Sequence, residues 1–153
     1  MLLPLIRDYV DVPIIAAGGI SDGRTMAAAF ALGAEGVQMG TQMLSCLESP
    51  VHMNWKESIV SARETDTIFL NQKHSPALRA LRTERSDRLA DMEENIFGQF
   101  GDPQKLYFGG DMNAAIALSG QVAGRIDAIR PIAEIIGETV EEFSKTIDRL
   151  SNG

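Results

Sequence analysis

The chain has 153 residues, which is long enough for one domain with a hydrophobic core. Its net charge of −7 argues against binding to nucleic acids or anionic membranes, since both need a basic surface. The single cysteine, Cys46, excludes an internal disulfide, and no apolar run approaches the ~20 residues of a membrane span, so we expect a cytoplasmic protein.

The N-terminal third has the pattern of a β–α–β unit. Residues 12–17 form an almost unbroken apolar run, which predicts a strand covered on both faces in a parallel sheet. Gly18 and Gly19 end this run. A helix over residues 22–32 and a short strand over 36–40 follow, because parallel strands need a crossover of about this length.

Helices dominate the prediction beyond residue 41. We therefore divide the single domain, 1–153, into a phosphate-binding unit (12–41), an inserted helical and loop region (42–110) and closing helices (111–153). The predicted elements are helices over 41–47 and 52–62, an extended piece over 66–70, a charged and mostly helical stretch over 76–94, a loop over 97–110, a helix over 111–124 and two helices over 132–136 and 140–150.

The two strand ends predict a phosphate site. Phosphate is bound well by backbone N–H groups that converge where no side chain intervenes. Gly18 and Gly19 let the main chain approach at the first strand end, and Gly40 does the same at the second. Thr41 adds a hydroxyl donor. Either turn alone is better explained as a tight strand-to-helix connection, but both turns one unit apart favour phosphate binding.

Four segments carry a resemblance to a known family. They read VPIIAAGGISDGRTMAAAFALGAEGVQMGT, ESPVHMNWKESIV, TDTIFLN and GQVAGRIDAIRPIAEII. Together they resemble the C-terminal part of the nitronate monooxygenase family, formerly called 2-nitropropane dioxygenases, which also includes the flavin-dependent enoyl-acyl-carrier-protein reductases. The resemblance implies an α/β fold, namely strands 7 and 8 of an FMN-binding (β/α)8 TIM barrel with their following helices and without the N-terminal strands.

The same resemblance implies a cofactor, a reaction and a set of ligands. The cofactor is FMN, and the reaction is the oxidation of alkyl nitronates with molecular oxygen. Asp22 and Arg24, in contrast, are interpreted as a turn and a surface ion pair. The residues that the resemblance assigns to the FMN phosphate are Gly18 and Gly19 after strand 7, and Gln38, Met39, Gly40 and Thr41 at the end of strand 8.

No residue of this chain matches the family's catalytic base, a histidine in a glycine-rich segment before strand 7. The catalytic residue is therefore unknown. His52 fits the family pattern near the top of the barrel, but a histidine making a local hydrogen bond at a helix start is the favoured interpretation. His74 is expected in solvent, and Cys46 is expected to be a buried small residue. No cysteine and histidine cluster has metal-ligand spacing.

The sequence leaves three alternatives open. The chain could belong to the reductase branch, acting on enoyl thioesters with a nicotinamide donor. It could be a truncated, non-catalytic half-barrel that self-associates or needs a missing N-terminal segment, because a strand edge without a partner invites association. A phosphate-binding barrel of the inosine-monophosphate dehydrogenase type is less favoured, because no catalytic-cysteine loop precedes the second strand.

Overall fold

A computed structural model describes residues 2–152, and within them four strands and seven α-helices surround three hydrophobic clusters. No helix in this range is both long enough and apolar enough to cross a bilayer. The elements are α1 (Leu2–Arg7), β1 (Ile15–Ala17), α2 (Gly23–Ala31), β2 (Gly36–Gln38), α3 (Thr41–Leu44), α4 (Met53–Val60), β3 (Thr67–Leu70), β4 (Leu78–Leu81), α5 (Glu84–Ala90), α6 (Pro103–Tyr107), a 3-10 helix (Gln121–Arg125) and α7 (Ile132–Ser151).

The predicted β–α–β unit is present. β1 and β2 are parallel neighbours, with Ile15 paired to Gly36 and Ala17 to Gln38. Helix α2 makes the crossover between them and contributes Ala29 to a small core with Ile20. The helix follows from the local sequence, because an apolar run of alanines stands between a capping residue and a glycine turn.

The prediction that β1 is covered on both faces is wrong for the described residues. Ile15 is 60% exposed, and Ala17 is exposed as well. Within residues 2–152, β1 pairs with β2 alone, so its second edge has no strand beside it. An apolar run of this kind suits a strand that is buried on both faces. The described residues cover only part of the surface of β1.

The inserted region is less helical than predicted. β3 and β4 form an antiparallel hairpin in which Thr67 pairs with Leu81 and Leu70 with Leu78. The helix predicted over 76–94 is therefore wrong at its start, and only α5 within it is helical. Residues 78–81 read LRAL, a sequence with good helix propensity, but pairing with β3 and burial of Ala80 override that preference.

The prediction of a helix over 111–124 is also wrong. This segment runs as turns with two isolated bridges, Gly101 to Ala115 and Ala80 to Leu118, and it becomes helical only in the 3-10 turn at Gln121–Arg125. The loop predicted over 97–110 contains the short helix α6, which Asp102 caps through the N–H groups of Gln104 and Lys105.

The two closing helices are one helix, α7, which packs across α2. At the crossing, a Cβ atom on Gly23 would overlap the backbone nitrogen of Phe143. The Gly23 N–H donates to the Glu142 carboxylate at 2.8 Å, which joins the start of α2 to α7. Phe30 and Phe143 meet edge to face at 5.1 Å between ring centroids.

Asp22 joins α2 to the 3-10 helix. Its carboxylate accepts the Thr25 N–H at 2.8 Å and completes a capping box, and it pairs with Arg24 and Arg125. Burial by itself would raise the Asp22 pKa, but the hydrogen bonds from Thr25, Arg125 and Arg24 outweigh it and lower the pKa from 3.8 to about 2.

We predict that Gly23→Ala destabilises the chain and that Gly137→Ala stabilises it. The added methyl at position 23 would meet the α7 backbone, which cannot move aside, so the free energy of unfolding should fall by about 2 kcal/mol or more. Gly137 lies within α7, and an alanine methyl there would meet no atom within 4 Å, so this substitution should add about 0.5–1 kcal/mol through helix propensity. Urea unfolding of the three proteins measures both changes, and equal stability of the wild type and Gly23→Ala would refute the tight crossing.

We also predict an acid-sensitive contribution to stability from Asp22. A carboxyl whose folded-state pKa lies below its unfolded value stabilises the fold above the unfolded pKa, and this contribution disappears as the pH falls through the folded pKa. The shift from 3.8 to about 2 corresponds, after allowance for solvent screening, to about 1–2 kcal/mol that is lost between about pH 4 and pH 2. Asp22→Asn keeps a capping oxygen without the charge, so its stability should vary less over this window. Urea melts at pH 2–5 give the free energy of unfolding of both proteins. An equal fall of this free energy with decreasing pH in the wild type and in Asp22→Asn would contradict the assignment.

Candidate functional site

The glycine turns of β1 and β2 lie at one edge of the parallel pair. The last paired residues of the two strands are Ala17 and Gln38, which face each other in register. Gly18 directly follows Ala17, and Met39 directly follows Gln38. The carboxyl ends of parallel strands share a sheet edge, where open α/β sheets and barrels place their ligands. The structure thus has the strand arrangement on which the sequence-based site depends.

Both turns are free of side-chain obstruction. Gly18 and Gly19 have φ of +95° and +77°, a region that disfavours other residues. A Cβ atom built on Gly18, Gly19 or Gly40 would have no other atom within 4 Å. Because Gly40 has φ of −92°, its lack of a side chain is not required by the backbone. Open space at all three positions leaves their peptide groups accessible to a ligand.

Gln38 and Met39 differ in what they can contribute. Gln38 is exposed at the end of β2, so its side-chain amide is accessible. The Met39 side chain packs against the small core of Ile20, Ala29 and Ala34. Met39 can therefore offer only its backbone at the sheet edge.

Thr41 ties the second turn to a distant segment. It is 9% exposed, and its hydroxyl oxygen accepts the N–H of Gly120 at 2.8 Å. Since a hydroxyl can accept and donate at once, its hydrogen is still available to a ligand. The neighbouring N–H of Ser119 donates to the Arg79 carbonyl at 3.1 Å, so two hydrogen bonds connect Thr41 to strand β4.

These contacts border a shallow, open cavity of about 450 Å³ that sequence reasoning did not anticipate. Arg79, Ser119 and Gly120 are not among the predicted site residues, and no local pattern in the sequence links them to the second glycine turn. The cavity is lined by Gly40, Thr41, Leu44, Arg79, Leu118, Ser119 and Gly120. The charge pattern of residues 76–94 predicts that Arg79 lies on the solvated face of a helix. Arg79 instead lies half-buried on strand β4 of the hairpin.

The histidines and the cysteine have structural positions. His52 precedes α4, and its Nδ1 accepts the N–H of Asn54 at 3.1 Å, which confirms the local hydrogen bond expected at a helix start. His74 is exposed, and its Nε2 donates to the Glu93 carbonyl at 2.9 Å. Cys46 is 3% exposed and unpaired, as predicted for a small core residue. Among residues 2–152, no three acidic, histidine or cysteine side chains are grouped to hold a metal ion.

Asp22 and Arg24 confirm the interpretation as a turn and an ion pair. Asp22 caps α2, and Arg24 bridges Asp22 and Glu142, with its Nε 3.0 Å from the Glu142 carboxylate. Their polar groups are engaged with one another and with Arg125, so these side chains stabilise the α2 terminus.

Comparison with known proteins shows which family this chain is similar to. The family profile described as nitronate monooxygenase matches residues 1–142. A probable nitronate monooxygenase of Staphylococcus haemolyticus is 39% identical over 95 residues, which is 62% of this chain and 27% of that protein. A Staphylococcus aureus protein of the same description is 38% identical over the same length.

Solved structures show the same relationship in three dimensions. FabK from Thermotoga maritima is 40% identical with a TM-score of 0.91, covering 99% of this chain and 50% of FabK. Nitroalkane oxidase from Streptomyces ansochromogenes is 25% identical with a TM-score of 0.75, covering 97% of this chain and 44% of that enzyme. The chain thus spans about half the length of these structures, and its α/β fold resembles theirs.

The profile match extends over most of the chain, including both glycine turns and the Leu118–Gly120 segment behind the second one. The chain belongs to the nitronate monooxygenase family.

Proposed function

We propose that this chain binds FMN through the two glycine turns and forms part of an oxidoreductase that oxidises alkyl nitronates with molecular oxygen. The observation that carries the proposal is the open, side-chain-free edge at Gly18, Gly19 and Gly40, found in a chain of the nitronate monooxygenase family. In this proposal β1 and β2 correspond to strands 7 and 8 of a (β/α)8 barrel.

The residues at this edge fit the terminal phosphate of FMN. Accessible peptide groups at the two turns can donate N–H groups without a side chain in the way. Gln38 and the Thr41 hydroxyl add side-chain donors, whereas Met39 contributes backbone only. The six proposed ligands are Gly18, Gly19, Gln38, Met39, Gly40 and Thr41.

FMN, when bound, would supply the redox chemistry, and the chain would hold and orient it. The open sheet edge gives the phosphate a fixed place, because the turns follow paired strands whose register is set by backbone hydrogen bonds. No residue of the chain is assigned the role of base, because none matches the family's catalytic histidine by motif. His52 Nδ1 accepts the Asn54 N–H, and His74 Nε2 donates to the Glu93 carbonyl.

A second candidate is reduction of enoyl thioesters with a nicotinamide donor. The higher identity to FabK, 40% against 25% for the nitroalkane oxidase, favours the reductase branch of the family. The phosphate turns would serve either reaction, so the two candidates share FMN and differ in the substrate and in the nicotinamide donor that the reductase requires.

A third candidate is a half-barrel without catalysis of its own. The exposed side chain of Ile15 and the edge of β1 that has no strand partner within residues 2–152 indicate a surface that further barrel strands would cover. Such a chain would bind flavin weakly and would need a complementary segment, or a second copy, for activity.

We predict that the chain binds FMN more tightly than riboflavin, which lacks the phosphate, and that Gly40→Leu removes the difference. The backbone at Gly40 suits any residue and a Cβ meets no other atom within 4 Å, so the variant should fold normally. Its side chain would enter the space proposed for the phosphate, lowering FMN affinity by about tenfold or more, which is roughly 1.4 kcal/mol. Titration followed by flavin fluorescence measures both ligands.

Gly137→Ala is the matched control, because it changes an exposed glycine on α7. A wild type that binds riboflavin and FMN equally would rule out a phosphate site at the turns. The same conclusion follows if Gly40→Leu keeps the full preference for FMN while its melting temperature is unchanged.

Turnover separates the three candidates. With FMN present, the proposed function predicts oxygen consumption that depends on an alkyl nitronate, recorded with an oxygen electrode. Oxidation of NADH or NADPH that depends on an enoyl thioester would instead establish the reductase. Absence of both, in a chain that binds FMN, would identify the non-catalytic half-barrel; Gly40→Leu serves as the flavin-deficient control.

A further inference from the structure

We infer that an apolar pocket beside the second glycine turn holds the alkyl chain of the substrate. The pocket has a volume of about 170 Å³ and lies where two hydrophobic clusters of the inserted region meet, one around Trp55 and the other around Leu70. None of the described residues that line it is charged, and the Tyr107 hydroxyl is their one polar side-chain group. The other lining residues are Leu78, Phe100, Pro103, Ala115, Ile116 and Leu118.

Backbone hydrogen bonds on both sides fix the segment 114–119, which forms one wall of this pocket. On one side, the Ile116 N–H donates to the Phe100 carbonyl at 2.8 Å. On the other side, the Leu81 N–H donates to the Ala117 carbonyl at 2.9 Å, which joins the segment to β4. Because the main chain sets this wall, the pocket is formed before a ligand arrives, and little conformational entropy is lost when it is filled.

The size and the chemistry of the pocket suit a short hydrocarbon chain. Apolar cavities of about 150 Å³ stay dry and take up molecules of benzene size, about six carbons. A pocket of about 170 Å³ therefore has room for a chain of about six carbons. An ionised head group would lose its hydration here without gaining a charged partner, whereas the transfer of a hydrocarbon chain out of water is favourable.

Leu118 connects this pocket to the proposed flavin site. It lines both the apolar pocket and the open cavity at Gly40 and Thr41, and its side chain is 48% exposed. A substrate whose head group lies beside a flavin held at the Gly40–Thr41 turn can thus reach the pocket with its chain past Leu118. The pocket itself recognises only hydrocarbon, so the identification of the chain as part of the substrate rests on the proposed function.

The test measures the binding of primary nitroalkanes, from nitroethane to 1-nitrooctane, to the chain without flavin. The apparent affinity of each compound follows from the rise of the melting temperature with its concentration. We expect the affinity to increase about fourfold for each methylene up to about six carbons, and then to level off because the pocket is full. An increase that continues by the same factor through 1-nitrooctane, or no binding of 1-nitrohexane, would overturn the proposal.

Two variants locate the binding in this pocket. Leu118→Ala removes part of the wall at an exposed side chain, so the variant should fold normally and bind 1-nitrohexane about fivefold more weakly. Leu78→Phe adds carbon atoms to the wall, so the affinity should level off at about three carbons. Leu150→Ala is the matched control, since Leu150 is an exposed leucine on α7 outside the pocket, and it should behave as the wild type. If both pocket variants also behave as the wild type, the nitroalkanes bind elsewhere and the proposal is rejected.

Failure of the pocket and failure of the proposed function give different results. Chain-length selectivity that depends on Leu118, in a chain that binds FMN and riboflavin equally, would support the pocket and reject the flavin site. A preference for FMN without this selectivity would support the flavin site and reject the pocket. With FMN present, the KM values of alkyl nitronates and of enoyl thioesters of increasing length identify the substrate that carries the chain, because the KM of that substrate falls with length in the wild type and falls less in Leu118→Ala.

Discussion

The crossing of α2 and α7 at Gly23 is the contact on which the arrangement of the N-terminal unit depends. The α7 backbone approaches so closely that a methyl group on Gly23 would overlap it, and the Glu142 carboxylate occupies the position of a helix cap for α2. Because α2 begins shortly after the first glycine turn, a residue near the C-terminus helps to set the geometry of that turn. Asp22 extends this connection to Arg125 in the 3-10 helix.

The sequence predicted elements well wherever the signal was local. The apolar run before Gly18, the alanine-rich helix and the second strand were identified from neighbouring residues, and all three are present. β4 could not be predicted in this way, because LRAL becomes a strand only through pairing with β3. Two helices are predicted over 132–136 and 140–150, yet α7 runs through both ranges and through Gly137, since a glycine in a helix lowers stability without preventing packing on α2.

In the candidate site, too, the features set by local sequence could be predicted, and those set by distant contacts could not. Glycines at two strand ends can be recognised from spacing alone, and the parallel register of β1 and β2 brings those ends to one edge. Arg79 and Gly120 are brought to the second turn by hydrogen bonds between residues far apart in sequence. No periodicity in the chain predicts such a contact. Glu142 is a comparable case, because its carboxylate accepts the N–H of Gly23, which lies 119 residues away in sequence.

The half-buried side chain of Met39 has a consequence for the energetics of recognition. Met39 stands between an exposed glutamine and an open glycine, and it anchors that stretch of backbone in the core beneath the sheet edge. Immobilising a loop usually subtracts from the free energy of association, because its conformational entropy is lost when the ligand arrives. Here that entropy is already lost when the chain folds, so an incoming ligand meets peptide groups that are organised in advance.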